Sequence, residues 1–315
     1  MLEEVERWLG TRSWAAADRP LEWLLAAKAA RGTTVSVVLP ALDEEATVGA
    51  IVTAIRRDLM GPRAPLVDEL VVIDSGSSDG TARAAADAGA RVVHRDDVLP
   101  RLPAVPGKGE VLWRSLLVTG GDVVCFVDAD LRDFDASFVS GIVGPLLTEP
   151  DVQFVKATYD RPLDGAAGQG GRVTELMARP LLNLHWPLLA GFVQPLGGEY
   201  AVRRSLLERL PFPVGYGVEI GLLIDSLHTV GLDALAQVDV GVRVHRHQDG
   251  QALGRMAAAI YRTAQLRLSR GHLLRPSLTQ FERADGVFVP RTHPVDAEER
   301  PPMREIAEYE ARHAA

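Results

Sequence analysis

The 315-residue chain is 47% hydrophobic and 24% charged, with a mean hydropathy of +0.04, which suffices to bury one large core or two modest ones. A net charge of −8 and a pI near 5.5 exclude wholesale nucleic-acid binding through a basic face. A single cysteine, Cys125, excludes an intrachain disulfide and fits a reducing, cytoplasmic compartment, as does the absence of a signal-peptide pattern; the most apolar stretch, 181–196, is interrupted by Asn183, His185, Pro187 and Gln194 and is too short to span a membrane.

Residues 1–31 hold two helical stretches whose apolar stripes, Val5, Trp8 and Leu9, then Leu21, Leu24 and Leu25, are suited to packing on a larger body. Alternation of strands and helices follows. Strands are expected over 35–39, 70–73, 91–94, 123–127 and 152–157, with helices over 45–59, through the alanines of 82–86, over 111–118 and over 137–147. That order predicts an α/β fold, a mostly parallel mixed sheet flanked by helices on both faces. From residue 160 the character changes: a glycine-rich loop at 165–171, helices over 172–184, 218–230 and 251–270, and a strand over 235–240. The last forty or so residues carry Pro276, Pro290, Pro294, Pro301 and Pro302 among many charges, which predicts an extended, partly mobile tail. The expected divisions are therefore 1–31 as a helical arm, 32–158 as the main α/β region, 159–270 as a second functional half and 271–315 as the tail.

Residues 123–130 read Val-Val-Cys-Phe-Val-Asp-Ala-Asp, a buried strand ending in two carboxylates one residue apart. Near-extended, Asp128 and Asp130 project to the same side, where their repulsion calls for a divalent cation or a shared proton. The carboxyl ends of two other strands lead into polar turns, Pro40-Ala-Leu-Asp-Glu-Glu45 and Ile73-Asp-Ser-Gly-Ser-Ser-Asp-Gly-Thr81. Each alone reads as helix capping or an Asx turn, with Asp43 as an N-cap; three such features at one sheet edge point to a ligand site. Gly107-Lys108-Gly109 lacks the spacing of a P-loop, no dinucleotide glycine fingerprint follows the first strand, and the run from Asp128 to Asp135 lacks the EF-hand glycine. A nicotinamide oxidoreductase and an NTPase are disfavoured accordingly. Gly171-Arg172 opening a helix offers free backbone donors and a forked cation to an anion.

These motifs in this order, with Gly-Gly-Arg-Val-Thr-Glu-Leu, Gln-Pro-Leu-Gly-Gly-Glu-Tyr and Val-His-Arg-His further on, resemble the nucleotide-sugar glycosyltransferases of the GT-A type, and within them the actinobacterial glucosyl-3-phosphoglycerate synthases. The likeness spans roughly residues 20–270 and implies a GT-A type Rossmann-like sheet with an acceptor-binding C-terminal half. It implies retaining transfer of glucose from UDP-glucose to the 2-hydroxyl of 3-phosphoglycerate. The related alternatives are a mannosyl-3-phosphoglycerate synthase-like enzyme using GDP-mannose and a non-catalytic sugar-nucleotide-binding protein. By resemblance Pro40, Ala41, Leu42, Asp43, Glu44 and Ser75 surround the nucleoside, with Lys108, Asp128 and Ala129 on the nucleotide. Asp130 and His245 hold Mg2+ or Mn2+. Tyr216, Gly217 and Glu219 lie beside the hexose, and the Leu196 carbonyl lies near the reacting centre. Gly171, Arg172, Val173 and Thr174 grip the acceptor phosphate, with His247 as a further acceptor contact where relatives often carry Asn. The resemblance also implies a homodimer.

Overall fold

The computed structural model of the chain describes residues 2–160, 171–243, 250–268, 277–284, 287–295 and 298–313. In chain order the elements are α1 (Glu3–Arg12), β1 (Ser13–Ala15), α2 (Leu21–Arg31), β2 (Val35–Ala41), α3 (Val48–Leu59), β3 (Glu69–Asp74), α4 (Thr81–Asp87), β4 (Arg91–His94), α5 (Lys108–Val118), β5 (Val123–Phe126), α6 (Ser137–Thr148), β6 (Phe154–Asp160), α7 (Arg179–His185), β7 (Tyr200–Arg203), α8 (Arg204–Leu207), β8 (Phe212–Pro213), α9 (Val218–Val230), β9 (Leu235–Val242), α10 (Gly250–Leu268), β10 (Ser277–Ala284), β11 (Val287–Pro294), β12 (Glu299–Arg300) and α11 (Ala307–His313).

Eight strands form one sheet in the order β1-β9-β6-β7-β5-β2-β3-β4, parallel except for β7, which runs antiparallel between β5 and β6. The mixed, mostly parallel sheet expected from the βα alternation is therefore present. Side chains alternate across it. Val38, Val71, Ile73, Val124 and Phe126 enter one core with α1, α5, α9 and α11. Val37, Leu39, Val72, Val123 and Cys125 enter the other with α2, α3 and α6. Burial on both faces is why these strands read as unbroken apolar runs rather than as alternating ones. Strand β2 lies between β3 and β5, so the chain winds outward from it in two directions and leaves a crevice beyond its carboxyl end.

The structure departs from the sequence expectations at both ends. The N-terminal arm is built into the sheet: β1 pairs in parallel with β9, and the Trp8 indole N–H donates to the Leu235 carbonyl at 2.7 Å. The extended tail is also corrected. β10 and β11 form an antiparallel hairpin, β12 pairs with β8, and Met303, Ile306 and Tyr309 are buried in the main core. A proline-rich, charged composition concealed this because what ties the segment down is ionic. Arg300 forks onto Glu110 at 2.7 and 2.9 Å, Glu110 also accepts from Arg114 at 2.8 Å, and the Trp113 indole donates to Pro301 O at 2.9 Å. The helix expected over 172–184 is interrupted by one π-helical turn, Thr174–Ala178, before α7 begins.

Candidate functional site

The loops leaving β2, β3 and β5 are laced together at the crevice. The helix expected from residue 45 starts at Val48, so Asp43 is not its N-cap. Asp43 instead takes a left-handed backbone (φ 56°), accepts from the Ser78 amide at 2.8 Å and donates its own amide to Ser77 Oγ at 3.0 Å. Its carboxylate bonds the loop after β3, so a contact between the two loops holds it in a conformation that aspartate tolerates better than most residues. The Glu44 amide donates to Thr81 Oγ1 at 2.8 Å, and the Ser75 amide to Ala41 O at 2.9 Å. Thr47 Oγ1 reaches across to Ala129 O at 2.6 Å, which ties the first loop to the carboxylate turn.

Beyond this lacing lies a cavity of about 770 Å³. Its lining includes Pro40, Ala41, Leu42, Glu44, Ser75, Lys108, Asp128, Ala129 and Asp130 from the sheet side. Gly171, Arg172, Val173 and Thr174 come from the π-helical side, Leu196 from the segment before β7, Tyr216 from the loop before α9 and Glu219 from the first turn of α9. These sequence-predicted residues are thus brought to one space. Asp43 stands behind the wall as a clasp, and Gly217 caps α9 against Thr263 rather than lining the cavity. His245 and His247 lie outside the described residues.

Helix α5 starts three residues earlier than its apolar pattern predicts, which puts Lys108 in its first turn. The surrounding glycines explain both the start and the difficulty of foreseeing it. Gly107 has φ 139°, and a Cβ on Gly107 or Gly109 would run into the backbone at Val214 or Pro213. Lys108 donates to Asp128 Oδ1 and pairs with Glu219 Oε1 at 2.8 Å. Burial alone would push its ammonium down, but Asp128, Glu219 and Tyr200 outweigh it and hold Lys108 well above the ordinary lysine range.

The carboxylate pair lies just past the end of β5 and meets a cation that the sequence reading missed. Arg243 donates to Asp128 Oδ2 at 2.7 Å, lies 3.4 Å from Asp130 Oδ1 and donates to the buried Glu199 at 2.9 Å. Glu199 in turn accepts from the Tyr159 hydroxyl at 2.8 Å. Arg243 follows a strand with no pattern of its own; its only signal was its place immediately before Val-His-Arg-His. Gly198, also missed, lines the cavity where a Cβ would collide with Asp128 and Lys108.

Among the described residues no group of three or more His, Cys, Asp or Glu is assembled to hold a metal. The donor set nonetheless fits a hard divalent cation. Two carboxylates share one guanidinium, and the Asp130 carboxyl is pushed up by burial and by the charge of Asp128, only partly countered by Arg243. A site so acidic gains from further positive charge, and its oxygen ligands suit Mg2+ or Mn2+.

Residues 36–173 match the family model described as glycosyl transferase family 2. A glucosyl-3-phosphoglycerate synthase of Mycolicibacterium smegmatis is 51% identical over 303 residues, which cover 94% of this chain and 97% of that one. The crystal structure of glucosyl-3-phosphoglycerate synthase from Mycobacterium tuberculosis in complex with Mn2+, UDP-glucose and phosphoglyceric acid is similar at TM-score 0.81 and 48% identity, covering 91% of this chain and 95% of that one. That of mannosyl-3-phosphoglycerate synthase from Rubrobacter xylanophilus is similar at TM-score 0.89 and 40% identity, covering 96% and 99%.

Proposed function

The chain belongs to the glucosyl-3-phosphoglycerate synthases, metal-dependent glycosyltransferases of GT-A fold, and from that membership we propose that it moves glucose from UDP-glucose to the 2-hydroxyl of 3-phosphoglycerate with retention, giving glucosyl-3-phosphoglycerate. The observation that carries this reading is the single cavity of about 770 Å³ that joins strand-end loops, an acidic pair and the Gly171–Thr174 turn.

Pro40, Leu42 and Ser75 supply a nucleoside-sized recess at the switch point of the sheet, with half-exposed Leu42 and Tyr216 as its apolar surfaces. Asp130, with His245 as its expected partner ligand and Asp128 beside it, would hold Mg2+ or Mn2+. When bound, the ion neutralises the charge that develops on the departing diphosphate. Lys108 adds a fixed ammonium against the same charge. Arg172 and the backbone after Gly171, which adopts φ 82° at the start of a helical segment, form an anion cradle for the acceptor phosphate, with the buried Thr174 behind it. Glu219 is engaged by Lys108, which supports a hydroxyl-orienting role over that of a covalent nucleophile. The reading accordingly favours front-side transfer, with the departing phosphate oxygen taking the acceptor's proton.

The test is turnover of purified protein with 3-phosphoglycerate and UDP-glucose, GDP-glucose or GDP-mannose, with and without Mg2+, Mn2+ and EDTA. UDP-glucose turnover that EDTA abolishes is expected; no sugar phosphoglycerate from any donor overturns the reading. The likeness to a mannosyl-3-phosphoglycerate synthase favours GDP-mannose as the second donor to examine. Exposed Leu176 and Leu184 support a homodimer through the α7 region, to be measured by light scattering. The lone buried Cys125 supports the cytoplasm as its compartment. No described helix is long and apolar enough to cross a membrane.

A further inference from the structure

Lys156 carries a buried ammonium that the catalytic reading leaves unused. It lies on β6 opposite Tyr200 of β7, two residues from Phe154, on the face of the sheet that is otherwise lined by the rings of Phe126, Phe154 and Tyr200. Its exposure is 0%, and among the described residues no carboxylate pairs with it. Among the described residues one hydrogen bond holds it: Nζ donates to the Gly197 carbonyl at 2.7 Å, with Nζ 4.8 Å from the centre of the Tyr200 ring. Burying a lysine without an ion pair costs stability, and an apolar side chain would fit such a layer better. The fold alone gives no reason for it.

What the ammonium touches gives one. Gly197 lies between Leu196 and Gly198, both of which line the cavity. The segment is a tight turn, closed by the Gly197 amide donating to Gln194 O at 3.0 Å, and the Tyr159 hydroxyl leaves no room for a side chain at 197. Above the turn, Gly198 lies directly under the Asp128 and Lys108 head groups. A small tilt of this backbone would therefore move the floor of the cavity relative to both.

We propose that Lys156 is a positioning residue for glucosyl transfer: it pins the Gly197 carbonyl from below and so fixes the backbone of residues 196–198 against the reacting sugar. The proposal rests on the reading above that puts Leu196 and Glu219 beside that sugar. Burial pushes the Lys156 ammonium down to about 8; Glu219, Glu199 and Asp128 pull it back toward the charged form, and Lys108 opposes them. The pin consequently weakens on the alkaline side, where the charged donor is lost.

The test compares Lys156→Met and Lys156→Gln with the unaltered enzyme for kcat, both KM values, melting temperature and pH profile. Lys156→Met is expected to keep or raise the melting temperature and both KM values within about threefold, while kcat falls on the order of 30-fold. Lys156→Gln, which keeps only an uncharged N–H donor, recovers part of that loss. The alkaline decline of kcat in the unaltered enzyme, centred near 8, is absent in Lys156→Gln. Retained kcat in Lys156→Met, a loss confined to KM, failure of Lys156→Met to fold, or an unchanged alkaline limb in Lys156→Gln each overturns the proposal. An unaltered enzyme inert toward UDP-glucose and 3-phosphoglycerate strikes the functional reading instead, which separates the two.

Discussion

Gly198→Ala should abolish most activity while leaving the fold nearly intact. A Cβ at this position would lie 2.5 Å from Asp128 Cγ, where ordinary contact is 3.4–4 Å, so the carboxylate must retreat by about 1 Å. The obstacles are the far ends of two side chains, Asp128 and Lys108, rather than backbone, so the core has nothing to rebuild. We expect a stability cost of about 1 kcal/mol, or a melting shift of a few degrees. The displaced groups are the acidic partner of the proposed metal site and the ammonium proposed to face the diphosphate, and a 1 Å error there costs about 10²-fold in turnover. Steady-state kinetics and calorimetry on the one variant read both numbers. A kcat/KM within threefold of the parent would refute the placement of Asp128 and Lys108. A melting temperature lowered by tens of degrees would refute the claim that only side-chain ends stand in the way.

Gly109→Ala should reverse that balance, because its Cβ meets the Pro213 carbonyl and the neighbouring backbone; a loss of about 2–3 kcal/mol in denaturant unfolding is expected. Arg300→Ala leaves the fully buried Glu110 with Arg114 as its remaining guanidinium partner, and chemical denaturation should show about 2–4 kcal/mol of destabilisation. Arg172→Ala should raise KM for 3-phosphoglycerate at least tenfold more than KM for UDP-glucose, and an equal effect on both counts against its phosphate role. Lys156 also makes a pH prediction. Its folded value of about 8 lies below the unfolded value near 10.5, so the unfolded chain binds the proton more tightly and stability rises with pH across that window. Urea unfolding from pH 7 to 10 should therefore move in favour of the unaltered protein over Lys156→Met by up to about 3 kcal/mol, and a constant difference would rule out a buried, proton-shedding lysine.

Local chemistry carried most of the foresight. The doubly buried strands, the polar turns at their carboxyl ends and the Asp128–Asp130 pair are all written in neighbouring residues, and the structure gathers them where the pattern implied. Long-range ionic contacts were hidden. Arg243 meets Asp128 across 115 positions and Arg300 meets Glu110 across 190, and in neither case does either partner mark the other in sequence. Small backbone decisions were hidden as well. Asp43 in a left-handed turn and Gly107 with φ 139° shift two helix starts by three residues each, because side chains and glycines at the loop, rather than apolar period, decide where these helices begin. The strand at 13–15 is too short to show any period before it pairs with β9.

Residues 298–313 hold the floor under Lys108 through Arg300, the Glu298 carbonyl that receives the Val214 amide, and Pro301 beneath Trp113. During synthesis these residues leave the ribosome after every segment they brace. A nascent chain that has already made the crevice beyond β2 still has Arg114 as the one described guanidinium on Glu110 and lacks the Glu298 carbonyl for the Val214 amide. A stop after residue 297 is therefore expected to leave the sheet in place and the cleft unbraced.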